Sequence, residues 1–266
     1  MLSIIISTYR NNLYEALIKN INITIGNIEY EIIPVVNPGK MSISRAYNMG
    51  AETARFKKLL FLHEDIRFNS DNWGINLIKS LNTNNVGIIG LAGNKRKSNL
   101  PTGHDQGIPK DKYIFVTHQV NGMKKINRHK DLIRVKTLDG VFLALNRDVW
   151  KELKFNESLK GYHFYDLDIS LRASKNYSNF VNPNISIQHF SRGQFNDQWI
   201  INCLEFHKAD YNFDEIDAKE KNTVRKFWYK RLSKENISLK NRLKYVSVMR
   251  FNLNSYKSAF KFISTF

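Results

Sequence analysis

The sequence predicts an α/β domain, a Rossmann-like and mostly parallel central sheet flanked by helices, with a helical appendage behind it. Three observations carry this. Over about the first ninety residues, apolar strand runs alternate with helix-period stretches through short connections, the order that builds parallel sheets. The runs at residues 2–6 and 58–62 are apolar almost without interruption, as strands covered on both faces are. After about Asp210 only helical steps of three and four residues remain. The expected organisation is one domain over residues 1–210 and a basic helical appendage over 211–266.

Residues 2–6 open the sheet. Residues 11–20 form a short helix with Leu13, Leu17 and Ile18 on one face, and 31–36 form a second strand before Asn37-Pro38-Gly39 breaks the chain. Ser42 or Ser44 caps a helix carrying Ala46, Met49 and Ala54. Residues 58–62 are the third strand, Asp71 or Asn72 caps a helix running through Leu81, and 86–91 are the fourth strand. Regularity fails between residues 93 and 130, a polar stretch with Pro101 and Pro109 that reads as a functional lid or mobile loop. Strands at 132–138 and 141–145 flank Asp139-Gly140. A helical turn follows near Trp150, a helix opens near Tyr165-Asp166-Leu167-Asp168, and a late strand occupies 185–189.

The chain of 266 residues carries a formal charge of +17, which would ordinarily suggest nucleic acid as a partner. The charge is not spread evenly. Residues 219–266 hold thirteen Lys or Arg against Glu220 and Glu235, a net of +11 within that total, and no RNA- or DNA-reading motif accompanies them. Nucleic acid is therefore not expected. No run reaches the roughly 18 apolar residues of a membrane span. The start, from Met1 to Ile6, has neither a basic flank nor a small-residue cleavage site, and Cys203 is the only cysteine, so a cytoplasmic location is expected. In the tail, Leu239, Leu243, Val246, Leu253, Tyr256, Phe260 and Ile263 follow helical steps, with Lys240, Lys244, Lys257 and Lys261 each one position along. Two readings compete: a helix lying on anionic lipid at the inner face of the membrane, or one packed on its own protein.

Chemistry concentrates at His63-Glu64-Asp65. The third strand stops there, and in open α/β sheets ligands collect at the carboxyl ends of strands. Two carboxylates and an imidazole offer oxygen and nitrogen ligands to a divalent cation, although a solvated turn would have the same composition. Asp166 and Asp168 open a helix, where free backbone donors and the positive dipole end favour an ionised carboxylate able to accept a proton. Asp166 equally suits a simple capping role. Asp139-Gly140 is either a turn or a ligand contact. Trp73 and Trp199 are either core anchors or ligand-stacking platforms, and His163 is either packed or paired with Asp166.

Taken as an ordered set, these residues resemble a GT-A fold glycosyltransferase of the family 2 type over about residues 1–195. Ile5-Ile6-Ser7-Thr8-Tyr9-Arg10 resembles the family's first strand and nucleotide-contacting loop. Arg45-Ala46-Tyr47-Asn48-Met49-Gly50 resembles its helix with an Asn-x-Gly element, and Phe61-Leu62-His63-Glu64-Asp65 stands at its Asp-x-Asp motif. The stretch from Tyr165 to Arg172 resembles its Glu-Asp-x-Asp segment, and Gln188-His189-Phe190 falls where some members place a metal-binding histidine. His63 and Tyr165 depart from the pattern, each standing where an acid is expected.

The resemblance implies transfer of a sugar from a nucleotide-diphosphate donor, UDP-sugar by expectation, to a glycan or lipid-linked saccharide in polysaccharide biosynthesis, with inversion. It implies a divalent cation, Mn or Mg, on Asp65 and His189, and Asp166 as general base. Thr8, Tyr9, Arg10, Asn37, Arg45, Asn48, His63, Glu64, Asp139 and Gly140 are the expected nucleotide-sugar contacts. The alternative is a catalytically inactive sugar-nucleotide binder serving as partner subunit to another transferase.

Overall fold

The computed structural model describes residues 1–118, 129–191, 193–250 and 254–264. It groups into two compact units, one of residues 1–93 with 113–192 and one of residues 94–112 with 193–266. The sequence placed a boundary between 210 and 211. The contacts instead join an internal segment and residues 193–210 to the tail.

The first unit follows the predicted alternation. Its elements are β1 (Leu2–Thr8), α1 (Asn11–Thr24), β2 (Tyr30–Val36), α2 (Ile43–Thr53), β3 (Lys58–His63), β4 (Ile66–Phe68), α3 (Trp73–Ser80) and β5 (Val86–Gly90). Short strands follow: β6 (Ala92–Asn94), β7 (Lys112–Ile114), β8 (Val116–Thr117), β9 (Ile133–Val135) and β10 (Thr137–Leu138). Then come β11 (Phe142–Asn146), α4 (Arg147–Leu153), α5 (Tyr165–Asn176), β12 (Ser178–Val181) and β13 (Ile187–His189).

The main sheet has seven strands in the order β2-β1-β3-β11-β5-β12-β9. Strands β2, β1 and β3 run parallel, as do β5 and β12, while β11 lies antiparallel between β3 and β5. The unbroken apolar runs are explained by burial on both faces. Ile4, Ile6, Leu60 and Leu62 enter one core cluster with Leu17 and Ile21 of α1 and Trp73 and Leu77 of α3. Ile5, Leu59 and Phe61 enter another with Tyr47 of α2, Trp150 of α4 and Ile169 of α5. Full burial of each such side chain stabilises by roughly 1.5–3 kcal/mol, which makes the register hard to shift.

Several elements differ from expectation for identifiable reasons. Ser42 caps α2, its hydroxyl accepting from the Arg45 N–H. Asn72 stands before α3 in the left-handed region (φ 55°) and makes no side-chain cap, so neither it nor Asp71 plays the expected role. The strand expected over 132–138 breaks into β9 and β10, which join different sheets, so Asp139-Gly140 is a crossing between sheets rather than a hairpin turn. Strand β12 was not anticipated. Its Asn179 uses its side chain inside the sheet, accepting from the Ile88 N–H and donating to two carbonyls, which disguises the segment as polar.

The second unit contains α6 (Asp197–Phe206), α7 (Ala218–Leu232), α8 (Leu239–Met249) and α9 (Tyr256–Ser264) together with residues 94–112. Asp217 and Glu220 form a reciprocal capping box at the start of α7. Residues 94–112 differ from the expected lid, since Lys97, Ser98, Thr102 and Gln106 are all buried. The part of that loop at 119–128 lies outside the described residues, as does Leu253 of the tail stripe. Trp199 stacks on Trp228 with centroids 5.0 Å apart, and in the first unit Trp73 stacks on Phe68 at 3.9 Å. Both tryptophans are core anchors rather than sugar platforms.

Candidate active site

Parallel strands β2, β1 and β3 deliver three loops to one edge of the sheet. Register sets the neighbours: Ser7 pairs with His63, Thr8 pairs with Val36, and the Asn37 N–H donates to the Thr8 carbonyl at 2.8 Å. Strand β11 runs the other way and so begins at this edge, with the His63 N–H facing the Val141 carbonyl at 3.5 Å. Strand β13 pairs antiparallel with β4, placing His189 opposite Ile66 and therefore beside Asp65. The Phe190 N–H closes this corner on the Asp65 carbonyl at 3.0 Å.

Asp65 is 6% exposed, and its carboxylate lies 3.2 Å from Nε2 of His189 and 3.5 Å from the Arg10 guanidinium. Burial alone would raise its pKa. The His189 hydrogen bond, the two neighbouring imidazoles and the Ser191 hydroxyl outweigh burial and hold the carboxyl well below the usual carboxylate range. His63 moves down from its ordinary value, chiefly through burial and secondly through His189. One ligand atom each from His63, Asp65 and His189 lies within 4.8 Å of the others, the only such group drawn wholly from this corner among the described residues. That spread matches donors around a single ion with bonds near 2.1–2.3 Å, and a mixed nitrogen and oxygen set suits a borderline first-row cation.

Glu64 points the other way and organises the loop after β1. Its carboxylate accepts from the Thr8 hydroxyl, from the Tyr9 N–H at 2.9 Å, from the Arg10 N–H at 3.1 Å and from Arg10 Nε at 3.0 Å. The Arg10 guanidinium lies over the Tyr9 ring at 5.0 Å, and that ring is 63% exposed, presenting a flat face to solvent. Glu64 thus shapes the loop of residues 8–10 and has its oxygens occupied in doing so.

Asp166 and Tyr165 open α5. The residue before them, Phe164, is held in the left-handed region (φ 68°), a costly conformation for a bulky side chain that fixes how the helix enters. Asp166 accepts from the Gly140 N–H at 3.0 Å and from the Leu167 N–H at 2.9 Å, which orients the carboxylate. Asp139 accepts from the Val141 N–H at 2.9 Å. Tyr165 donates to the Gly140 carbonyl at 3.0 Å and lies 2.9 Å from Nε2 of His63. A Cβ on Gly140 would come within 2.1 Å of the Tyr165 hydroxyl, so this crossing requires glycine. Asp168, in contrast, is buried in an ion pair with Arg172, whose guanidinium also holds the Leu153 and Lys154 carbonyls.

The remaining expected contacts are placed differently. Asn37 closes the 37–41 turn with both ends of its amide on Met41. Asn48 bridges α2 to the segment after α4, donating to the Phe155 carbonyl and Glu157 and accepting from Trp150 and the Phe155 N–H. Gly50, two residues on, allows α2 onto the sheet, since a Cβ there would meet Ile5 at 2.4 Å. The Asn-x-Gly element thus packs α2 against the sheet and the segment after α4. Arg45 lines a cavity of about 420 Å³ with Lys40, Lys160 and Tyr162. The contribution of Tyr165 was not foreseen; its only sequence signal was the substitution itself.

A family profile described as "Glycosyltransferase like family" matches residues 3–227. No curated protein sequence matches the chain. Among solved structures it is similar to GalNAc-T7 solved with UDP, GalNAc and Mn2+, at 10% identity and TM-score 0.58, covering 98% of this chain and 56% of that one. It is also similar to S. aureus TarS 1–349 in complex with UDP-GlcNAc, at 12% identity and TM-score 0.51, covering 98% of this chain and 79% of that one. The chain therefore spans little more than half the length of the first of these. At such identities the likeness shows the fold, which is GT-A.

Proposed function

The chain belongs to this glycosyltransferase family, and from that premise we propose that it moves a sugar from a UDP-sugar donor to a glycan or lipid-linked saccharide, with inversion at the anomeric carbon. One observation carries the reading. Strand register brings His63, Asp65 and His189 into a single ligand set beside the loop that Glu64 shapes, with an oriented Asp166 carboxylate on the neighbouring α5.

His63, Asp65 and His189 would hold a divalent cation, Mn or Mg. Such a cation stabilises the charge that develops on a departing diphosphate. The chain's own residues do the rest. Tyr9 offers its exposed ring for stacking and Arg10 a cation beside the ligand set. Asp166, aligned by the Gly140 and Leu167 amides, takes the proton of the acceptor hydroxyl as that oxygen attacks. Positioned general bases of this kind contribute about 10² to 10⁴ in rate. The similar structures support the donor class, since GalNAc-T7 was solved with UDP and Mn2+ and TarS with UDP-GlcNAc.

The membrane reading gains support from exposure in the second unit. Leu239, Leu243, Tyr256 and Phe260 are 41–70% exposed, with lysines following each, whereas Tyr245, Val246, Met249 and Phe262 are packed. No helix among the described residues is long and apolar enough to cross a membrane. The exposed set is proposed to rest on an anionic lipid surface, where a lipid-linked acceptor would be met.

The test is a screen of UDP-sugars for binding and turnover by purified protein, with Mn2+ and after chelation. Donor binding with release of UDP that depends on Mn2+ is expected. Binding without hydrolysis or transfer to any glycan acceptor would favour the partner-subunit alternative, and absence of donor binding would overturn the reading.

A further inference from the structure

We infer that Tyr165 is a positioning residue: it holds His63 in the tautomer protonated at Nε2 and thereby makes Nδ1 the nitrogen that completes the ligand set with Asp65 and His189. The inference rests on the cation reading above.

Counting hydrogens fixes the pair. The Tyr165 hydroxyl has one, and it lies 3.0 Å from the Gly140 carbonyl, which can only accept. The hydrogen is therefore directed there. The same hydroxyl oxygen lies 2.9 Å from Nε2 of His63, and with its own hydrogen spent it meets that nitrogen as an acceptor. Nε2 must then be the N–H of the imidazole. An imidazole that binds a cation is neutral and carries one proton, so the lone pair falls to Nδ1.

Packing makes the arrangement stiff. Tyr165 is 3% exposed, with Tyr47 edge-on at 5.8 Å and Phe155 at 6.2 Å. Gly140 has no side chain to keep the hydroxyl off its carbonyl. An imidazole held through its second nitrogen by a buried hydroxyl is a better-oriented ligand, and loss of such partners typically costs 10- to 100-fold in metal affinity. Two imidazoles with one carboxylate also shift preference from Mg2+ toward Mn2+ and Co2+.

The experiment is titration of Mn2+ alone into the chelator-stripped full chain, by calorimetry and by the nitrogen hyperfine couplings of bound Mn2+. Tyr165→Phe is expected to weaken Mn2+ binding about tenfold or more and to narrow the Mn2+ over Mg2+ preference. His63→Ala is expected to remove one nitrogen coupling, and adding Tyr165→Phe to it to change affinity no further. Equal Mn2+ affinity in Tyr165→Phe and wild type, or an undiminished Tyr165→Phe effect in the His63→Ala background, overturns the inference alone. Failure of wild type to bind Mn2+ overturns the cation reading and this inference with it. Should Tyr165→Phe not fold, the 15N shifts of His63 in the metal-free wild type decide: the Nε2–H form is expected, and the Nδ1–H form overturns the proposal.

Discussion

The two units each hold a partly buried histidine in a polar cluster, and the clusters differ in what they converge on. In the second unit, Nζ of fully buried Lys97 donates to the Ser98 and Leu100 carbonyls and the Thr102 hydroxyl, each at 2.9 Å. It also meets Nε2 of His207 at 2.9 Å, while His207 Nδ1 donates to the Cys203 carbonyl at 2.7 Å. That cluster is centred on an amine of its own chain. In the first unit, ligand atoms of His63, Asp65 and His189 lie within 4.8 Å of one another, with Arg10 and Ser191 also beside the Asp65 carboxylate. That cluster is centred on a carboxylate. A partly buried histidine alone says nothing about chemistry; the group it converges on does.

The comparison breaks most visibly if the first cluster can be neutralised at no cost to function. Asp65→Ala should lower transfer by at least about 100-fold and abolish measurable Mn2+ binding, checked by turnover and calorimetry on the same sample. Near-normal turnover would remove the contrast between the two clusters. Asp166→Asn should lower turnover by about 10² or more while UDP-sugar affinity stays within a few fold, because the amide still accepts from Gly140 but cannot take a proton.

The second cluster should answer in stability instead. Lys97→Met strips the donor from three oxygens and is expected to cost about 3 kcal/mol in urea unfolding, with Mn2+ affinity of the folded protein unchanged. A loss of Mn2+ binding in a folded Lys97→Met protein would erase the distinction. The smallest effect concerns pH. Burial pushes Lys97 from its ordinary value of 10.5 down to about 7. Below pH 7 both folded and unfolded chains carry the proton. Between 7 and 10.5 only the unfolded chain does, so stability gains from rising pH in that window. Between pH 7 and 8.5 the gain should be roughly 1–2 kcal/mol in wild type and absent in Lys97→Met. A wild-type curve flat over that range would show an ammonium kept charged by its ring of acceptors.

The sequence made β1, β3 and β5 legible because strands buried on both faces leave an apolar signature that no loop imitates. Residues 94–112 were opaque for the opposite reason. Lys97, Ser98 and Gln106 look like solvent-facing residues until the partners that bury them are known, and His207 lies 110 residues away from Lys97. The same limit divides the site. The triplet at 63–65 and His189 drew notice through residue type, and β13 pairing with β4 supplies the reason they meet. Their internal roles were not legible. Glu64 turns to the loop at 8–10, and Asn48 and Asn37 spend their amides on their own chain. The two departures from the family pattern stand 102 residues apart in the sequence, yet His63 and Tyr165 touch, a fact no local pattern could announce.

The antiparallel strand β11, lodged between β3 and β5, bears on how the protein is made. His63 and Tyr165 stand 102 residues apart, and His189 comes later still. Loops of that length must close before the ligand set exists, which makes its assembly a late event in folding. A chain still short of β13 carries β1 and β3 without His189. A ligand of the proposed set could therefore stabilise the chain only after about residue 190 has emerged, and until then the apolar residues of β1 and β3 are covered by protein packing alone.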